Sequence, residues 1–272
     1  MATTADGDVQ LGFGIELEFV LQVKQKRLSD LGTYGYEDTH KTELAVVRNR
    51  QAVSKYLQAQ LDAVELPCEI RTNYGGDKDY SMWDGIEIVS PVLFEGWQES
   101  LTKLFGIIDH AFAIIPHSSA GTHIHVAPVG RAWTIEEIQQ LSKGIIAWSA
   151  PLRKLMQRQR DKYAAWNQWN AELDALSLND IVEVVSPDRY RAWNFRPLLD
   201  ARGTIEFRRP YQTLSRDGAQ HWVAFTLGLF AAFLQNGNLQ LPLDDAKDVR
   251  KAIGKEANKL GLGRLLNHRF FE

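Results

Sequence analysis

The chain has 272 residues, 44% of them hydrophobic and 24% charged, enough for one large domain or two small ones around a substantial core. A net charge of −3 and a pI of about 6.2 leave no global basic field, so neither nucleic acid nor an anionic membrane is an expected partner, and any anion must be gripped locally. Cys68 is the only cysteine, which excludes an internal disulfide, a cysteine-built zinc knuckle and an iron–sulfur cluster held by cysteine alone.

The first ten residues, MATTADGDVQ, have neither the basic region nor the apolar centre of a signal peptide. The first strong element is the strand GFGIELEFVL, 12–21, in which Phe13, Ile15, Leu17, Phe19 and Leu21 share one face, and Gly14, Glu16 and Glu18 the other. Taken alone, this stretch reads as a half-exposed antiparallel strand with a wet outer face. Helical spacing follows over 43–65, then a strand over 85–90 (GIEIVS), a helix over 97–114 and a strand over 121–127 (GTHIHVA). The helix expected over 134–156 opens with a capping box, Thr134 and Glu137. The region 157–195 is rich in Trp, Arg and Asn. It fits a substrate-binding insertion or lid, with Trp166 and Trp169 as contacts, or else helices packed by aromatic residues. A last strand spans 203–209 (GTIEFRR), and a helix begins after Asp217. That helix carries the longest nearly apolar run, WVAFTLGLFAAFL (222–234), which is shorter than the ~18 residues of a membrane span. The expectation is a soluble, cytoplasmic protein.

No fixed-period repeat and no long linker breaks the chain, so a single catalytic domain over 1–272 is the economical reading. Helices and strands do not alternate regularly, and the strands alternate polar with apolar residues. Both features favour an α+β fold, a mostly antiparallel sheet with helices on one face.

The two-residue period has the same outcome in all four strands. Ile86 and Ile88 oppose Glu87, Ile124 and Val126 oppose His123 and His125, and Ile205 and Phe207 oppose Glu206 and Arg208. If the apolar sides all face the helices, the other side gathers Glu16, Glu18, Glu87, His123, His125, Glu206 and Arg208. A solvated sheet face mixes Lys, Thr, Ser and Gln with both signs of charge, whereas these seven are Glu, His or Arg only. Glutamates crowded together raise each other's pKa unless divalent cations compensate them. Glutamate and neutral imidazole are both metal ligands, and the arginine fork suits phosphate. Each element alone is weak: an HxH pair also occurs as hydrogen-bonded core groups, and Glu206 with Arg208 can be a local ion pair.

FGIELEF, GIEIVSP, AGTHIHV and TIEFRRP, in that order, resemble the amidoligase family of fungi and bacteria, within the carboxylate–amine ligase superfamily of glutamine synthetase and γ-glutamylcysteine ligase. The resemblance covers roughly 12–235. It implies a curved antiparallel sheet, half a barrel, with ATP and divalent cations (Mg²⁺, with Mn²⁺ an alternative) on the concave face. It further implies that Glu16, His123 and Glu206 surround one metal while Glu18 and Glu87 hold a second. His125 would lie by the nucleotide phosphates, and Arg208 would steady the transferred phosphoryl group. Glu87, Glu206 and Arg208 thereby become the catalytic candidates. RYRAWNFRPLL resembles the family's Tyr-x-x-x-Asn element and adds Asn194 as a nucleotide contact. Arg209 is either a further nucleotide contact or an exposed charge. A further glutamate of glutamine synthetase near its second metal is not placed in this sequence, and no counterpart of that enzyme's amino-terminal domain is expected.

The implied reaction joins a small carboxylic acid to an amine through an acyl phosphate made from ATP, and phosphoryl transfer asks chiefly for positioning and charge compensation. Neither a Walker loop nor a Rossmann glycine fingerprint is present, so this face would have to hold the nucleotide. Two rival readings are a cupin-like oxygenase or isomerase using His123, His125 and one glutamate, and a non-catalytic nucleotide- or metal-binding relative.

Overall fold

A computed structural model describes residues 9–37, 43–72, 84–92, 95–156, 162–167, 173–235 and 245–267. These fall into two compact units interleaved along the chain. One comprises Gly14–Thr122 with Gln212–Arg216, the other Met1–Phe13, His123–Tyr211 and Asp217–Glu272. They are called here the carboxylate unit and the histidine unit.

In the carboxylate unit the central strand is β1, Leu11–Val23, whose first three residues belong to the other unit. It pairs antiparallel with β3, Asp84–Val89, which pairs with β2, Glu69–Arg71; β4, Phe112–Ile115, joins the far end of β1. The apolar residues on the odd-numbered side of β1 pack under helices. Phe19 meets Phe105 of α3 (Trp97–Ala111) edge to face, and Tyr56 of α2 (Glu43–Ala63) meets Phe112 in the same way. A short helix, α1 (Leu28–Gly32), precedes α2 and buries Leu31.

One expectation fails here. The helix expected over 97–114 stops at Ala111, because Phe112–Ile115 turn extended and pair with Val20–Val23 of β1. Phe-Ala-Ile-Ile suits a strand, and the ladder on β1 outweighs one further helical turn.

In the histidine unit the strands run β5 (Thr122–Pro128), β7 (Ile205–Phe207), β6 (Trp193–Asn194), all antiparallel, and one isolated bridge joins Ala165 and Arg191 in parallel. Their apolar side faces α6, Arg216–Gln235, where every residue from Gly218 to Phe233 except Gln220 is buried. Trp193 stacks on Phe207 with centroids 4.2 Å apart, and Phe207 lies 6.2 Å from Phe225 of α6. α4, Ile135–Leu155, packs against α6 at Gly144, where a Cβ would come within 2.4 Å of the Phe233 ring. The capping box read from Thr134 and Glu137 is formed. α5 (Leu178–Val185) and α7 (Ala246–Lys259) complete the unit.

The fold is thus α+β with mostly antiparallel strands, as expected, and in each unit helices cover the apolar side of the strands. Among the described residues, no helix is long and apolar enough to cross a membrane.

Candidate functional site

In the carboxylate unit, register decides which side chains meet. Glu18 lies directly opposite Glu87, and Glu87 directly opposite Arg71, so the three form one row across β1, β3 and β2. The next row holds Glu16, Val89 and Glu69. Like charges placed opposite each other destabilise a sheet, yet Glu16 and Glu18 are each only 8% exposed. The half-exposed strand expected from the alternation is therefore corrected: β1 is buried on both faces, because its polar side is covered as well.

Three features hold these carboxylates. Glu18 accepts a hydrogen bond from the Gly121 N–H. Glu16 and Glu87 each offer an oxygen, and the two lie within 4.8 Å of one another. Arg71 Nη1 sits 3.5 Å from Glu16 Oε1 and 3.8 Å from Glu87 Oε2, while its Nε and Nη2 grip both oxygens of Glu69 at 2.9 and 2.8 Å. Burial, and then the charges of Glu16 and Glu18, push the Glu87 carboxyl up to about 7, with Arg71 only partly opposing them.

A stability prediction follows from Glu87. Between about 4.5 and about 7 the folded protein holds a proton that the unfolded chain releases, so metal-free stability falls as pH rises through that window and levels off above it. With partial exposure discounted, the loss is on the order of 1–2 kcal/mol, and Glu87→Gln flattens it. Chemical denaturation of metal-free protein between pH 5 and 8 measures it, and parallel profiles for both proteins would contradict it.

In the histidine unit a single carboxylate is the hub. His125, Glu206 and Asn194 form a row across β5, β7 and β6. Asn194 Nδ2 donates to Glu206 Oε2 at 2.7 Å, and Arg208 Nη1 donates to Oε1 at 2.5 Å. The same Oε1 lies 3.4 Å from His123 Nδ1 and 3.7 Å from His125 Nε2. Thr204 Oγ1 engages His125 Nδ1 at 2.9 Å, which turns Nε2 toward Glu206. Gly203, at φ +59°, supplies the left-handed turn that brings Thr204 and then Glu206 into line. The Arg208 N–H donates to the Ala192 carbonyl at 2.8 Å, prolonging the strand pairing so that its side chain stays on the Glu206 side.

Arg209 points to the other side. It is 1% exposed, donates to the Ala164 carbonyl at 3.2 Å and has its guanidinium 5.0 Å from the centre of the Trp166 ring. The exposed-charge alternative for this residue is overturned, since the period that sends Arg208 outward sends Arg209 inward. Trp166 is itself buried in the histidine unit, and Trp169 lies outside the described residues.

Sequence reasoning missed Arg71, Gly121 and Thr204. Arg71 had a signal: in CEIRT, Glu69 and Arg71 alternate with Ile70 as the site residues do in the longer strands. The roles of Gly121 and Thr204 had none, because both depend on partners 79 or more positions away in sequence.

The carboxylate cluster offers anionic oxygen donors suited to hard divalent cations, and the histidine cluster offers a carboxylate, two imidazoles and an arginine fork suited to phosphate. No curated protein matches the chain. The model of a family described as "putative amidoligase enzyme" matches residues 10–230, a stretch that includes every residue of both clusters, and the chain belongs to that family of ligase-type enzymes.

Proposed function

We propose that the protein is an ATP-dependent carboxylate–amine ligase that forms an amide through an acyl phosphate, with a small carboxylic acid and an amine as substrates. A carboxylate resists amine attack because its oxygen leaves poorly. Transfer of the terminal phosphoryl group of ATP to that oxygen creates a good leaving group and ADP. The amine then attacks the acyl carbon, phosphate departs, and the amine loses a proton.

The observation that carries this reading is the surplus of buried carboxylate in the carboxylate unit. Glu16, Glu18 and Glu87 share one face, and Arg71, whose Nη1 reaches Glu16 and Glu87, is also clamped on Glu69. Such a surplus fits divalent metal. Glu16, Glu18 and Glu87 in one unit, and Glu206 with His123 in the other, would serve as ligands for Mg²⁺ or Mn²⁺, which when bound neutralises phosphate charge and orients the transferred group. Asn194 occupies one oxygen of Glu206 and so fixes the other toward Arg208. Arg208 is then aimed to steady the phosphoryl group, and His125, oriented by Thr204, serves as a phosphate contact.

Thermal unfolding with Mg²⁺ alone and with Mg²⁺ plus a non-hydrolysable ATP analogue tests this reading. Nucleotide at about 100 times its Kd stabilises by ~2.7 kcal/mol, a rise of several degrees. Arg208→Ala should shrink that rise. No nucleotide-dependent rise, with stabilisation by Fe²⁺ instead, would replace the ligase reading with that of a two-histidine, one-carboxylate metal enzyme.

A further inference from the structure

The carboxylate unit contains its own cation. Arg71 is divided between two jobs: Nε and Nη2 hold the outer carboxylate of Glu69, which is 60% exposed, and Nη1 reaches inward between Glu16 and Glu87. The inward contacts, at 3.5 and 3.8 Å, are longer than the outward ones at 2.9 and 2.8 Å. The guanidinium is therefore anchored outside and leans on the inner pair without bonding tightly to it. Its side chain is 42% exposed, so it has room to swing outward about the Glu69 anchor.

We propose that Arg71 and a divalent cation are alternative occupants of the Glu16–Glu87 carboxylate pair, so that Arg71 acts as a built-in competitor that sets metal affinity; this rests on the metal reading above. A guanidinium spread over a plane compensates two carboxylates only in part, whereas a compact doubly charged ion that contacts both oxygens does so more fully. When the ion enters, Arg71 Nη1 is repelled by it and withdraws, while Glu69 keeps the arginine from being lost to solvent. The exchange lowers the net affinity for metal and leaves a positive charge beside the Glu16–Glu87 pair before the ion arrives.

The test is Mn²⁺ titration followed by the electron paramagnetic resonance signal of free ion, without nucleotide, on wild type, Arg71→Met and Arg71→Lys. Methionine retains the length of the stem but removes the charge, and it should tighten Mn²⁺ binding by about tenfold, the scale of one charge–charge repulsion at a half-exposed site. Lysine retains the charge and should stay near wild type. Equal Kd for wild type and Arg71→Met, or weaker binding in Arg71→Met, overturns the competitor role and leaves the metal reading intact. Absence of binding in wild type and both variants overturns the metal reading, and the competitor role with it. Circular dichroism of the variants confirms that the comparison is between folded proteins.

Discussion

Glu206→Gln should lower ADP release by roughly 10²–10³-fold, the usual cost of removing one group that organises charge in a transition state. Glu206 accepts from Asn194 on one oxygen and from Arg208 on the other, with both histidines beside the second oxygen. Only a carboxylate accepts on both atoms; glutamine presents an amide NH₂ to one of two groups that also donate. Either Asn194 or Arg208 is then left facing a donor, at a cost of about 1–3 kcal/mol for the unmet buried group. Arg208 loses both its anchor and its direction, and the imidazoles lose their anionic neighbour. Turnover should be normalised to the folded fraction well below the melting temperature. A variant that folds and retains ADP release within tenfold of wild type would remove Glu206 from the machinery.

Trp193→Ala should destabilise the protein by about 3–5 kcal/mol. The Trp193 ring is fully buried, stacked on Phe207, with Phe230 and Phe233 of α6 beside it. Its carbonyl accepts from Asn167 Nδ2 at 2.8 Å and Ser186 Oγ at 2.6 Å, and its N–H donates to Asn167 Oδ1 at 3.0 Å. The backbone is thus pinned while the ring supplies the packing, so alanine leaves a cavity that the pinned strand cannot collapse to fill. The next residue is Asn194, whose side chain holds Glu206, so the same substitution should also weaken nucleotide-dependent stabilisation. Chemical denaturation measures the first effect, and a loss below about 1 kcal/mol would contradict the packing account.

These two residues divide what was legible from what was not. Glu206 was visible as a polar residue alternating with Ile205 and Phe207, and the structure confirms that alternation in β7. Trp193 was visible only as one aromatic residue in a region open to several readings, because its role depends on α6, which lies beyond it in the chain. Arg209 shows the boundary most plainly. The two-residue period puts Arg209 on the side of Ile205 and Phe207, but only the packing of Ala164 and Trp166 around its guanidinium shows that this side is closed to solvent there.

The extent of α3 failed for a related reason. Residues 112–114 satisfy a helical pattern by themselves, but β1 offers them a ladder that no local window contains. Arg71 belongs to the same class, since a three-residue strand is too short to show a period convincingly and acquires meaning only from its register on Glu87.

The sequence by itself determined the shared side of Glu16 and Glu18 in β1, the alternation of Glu87, His123, His125 and Glu206 with apolar neighbours, the four motifs of the family resemblance, and the start of α4 at its capping box. Each of these is local, set by a period of two residues or by side chains three positions apart. Only the tertiary structure decided that the polar face of β1 is buried, that Glu18 stands opposite Glu87 with Arg71 beyond it, and that Asn194 and Arg208 share the two oxygens of Glu206. Burial and register are properties of strands brought together from distant parts of the chain, and they turn a row of acids into a charged site by removing the water that would otherwise screen it.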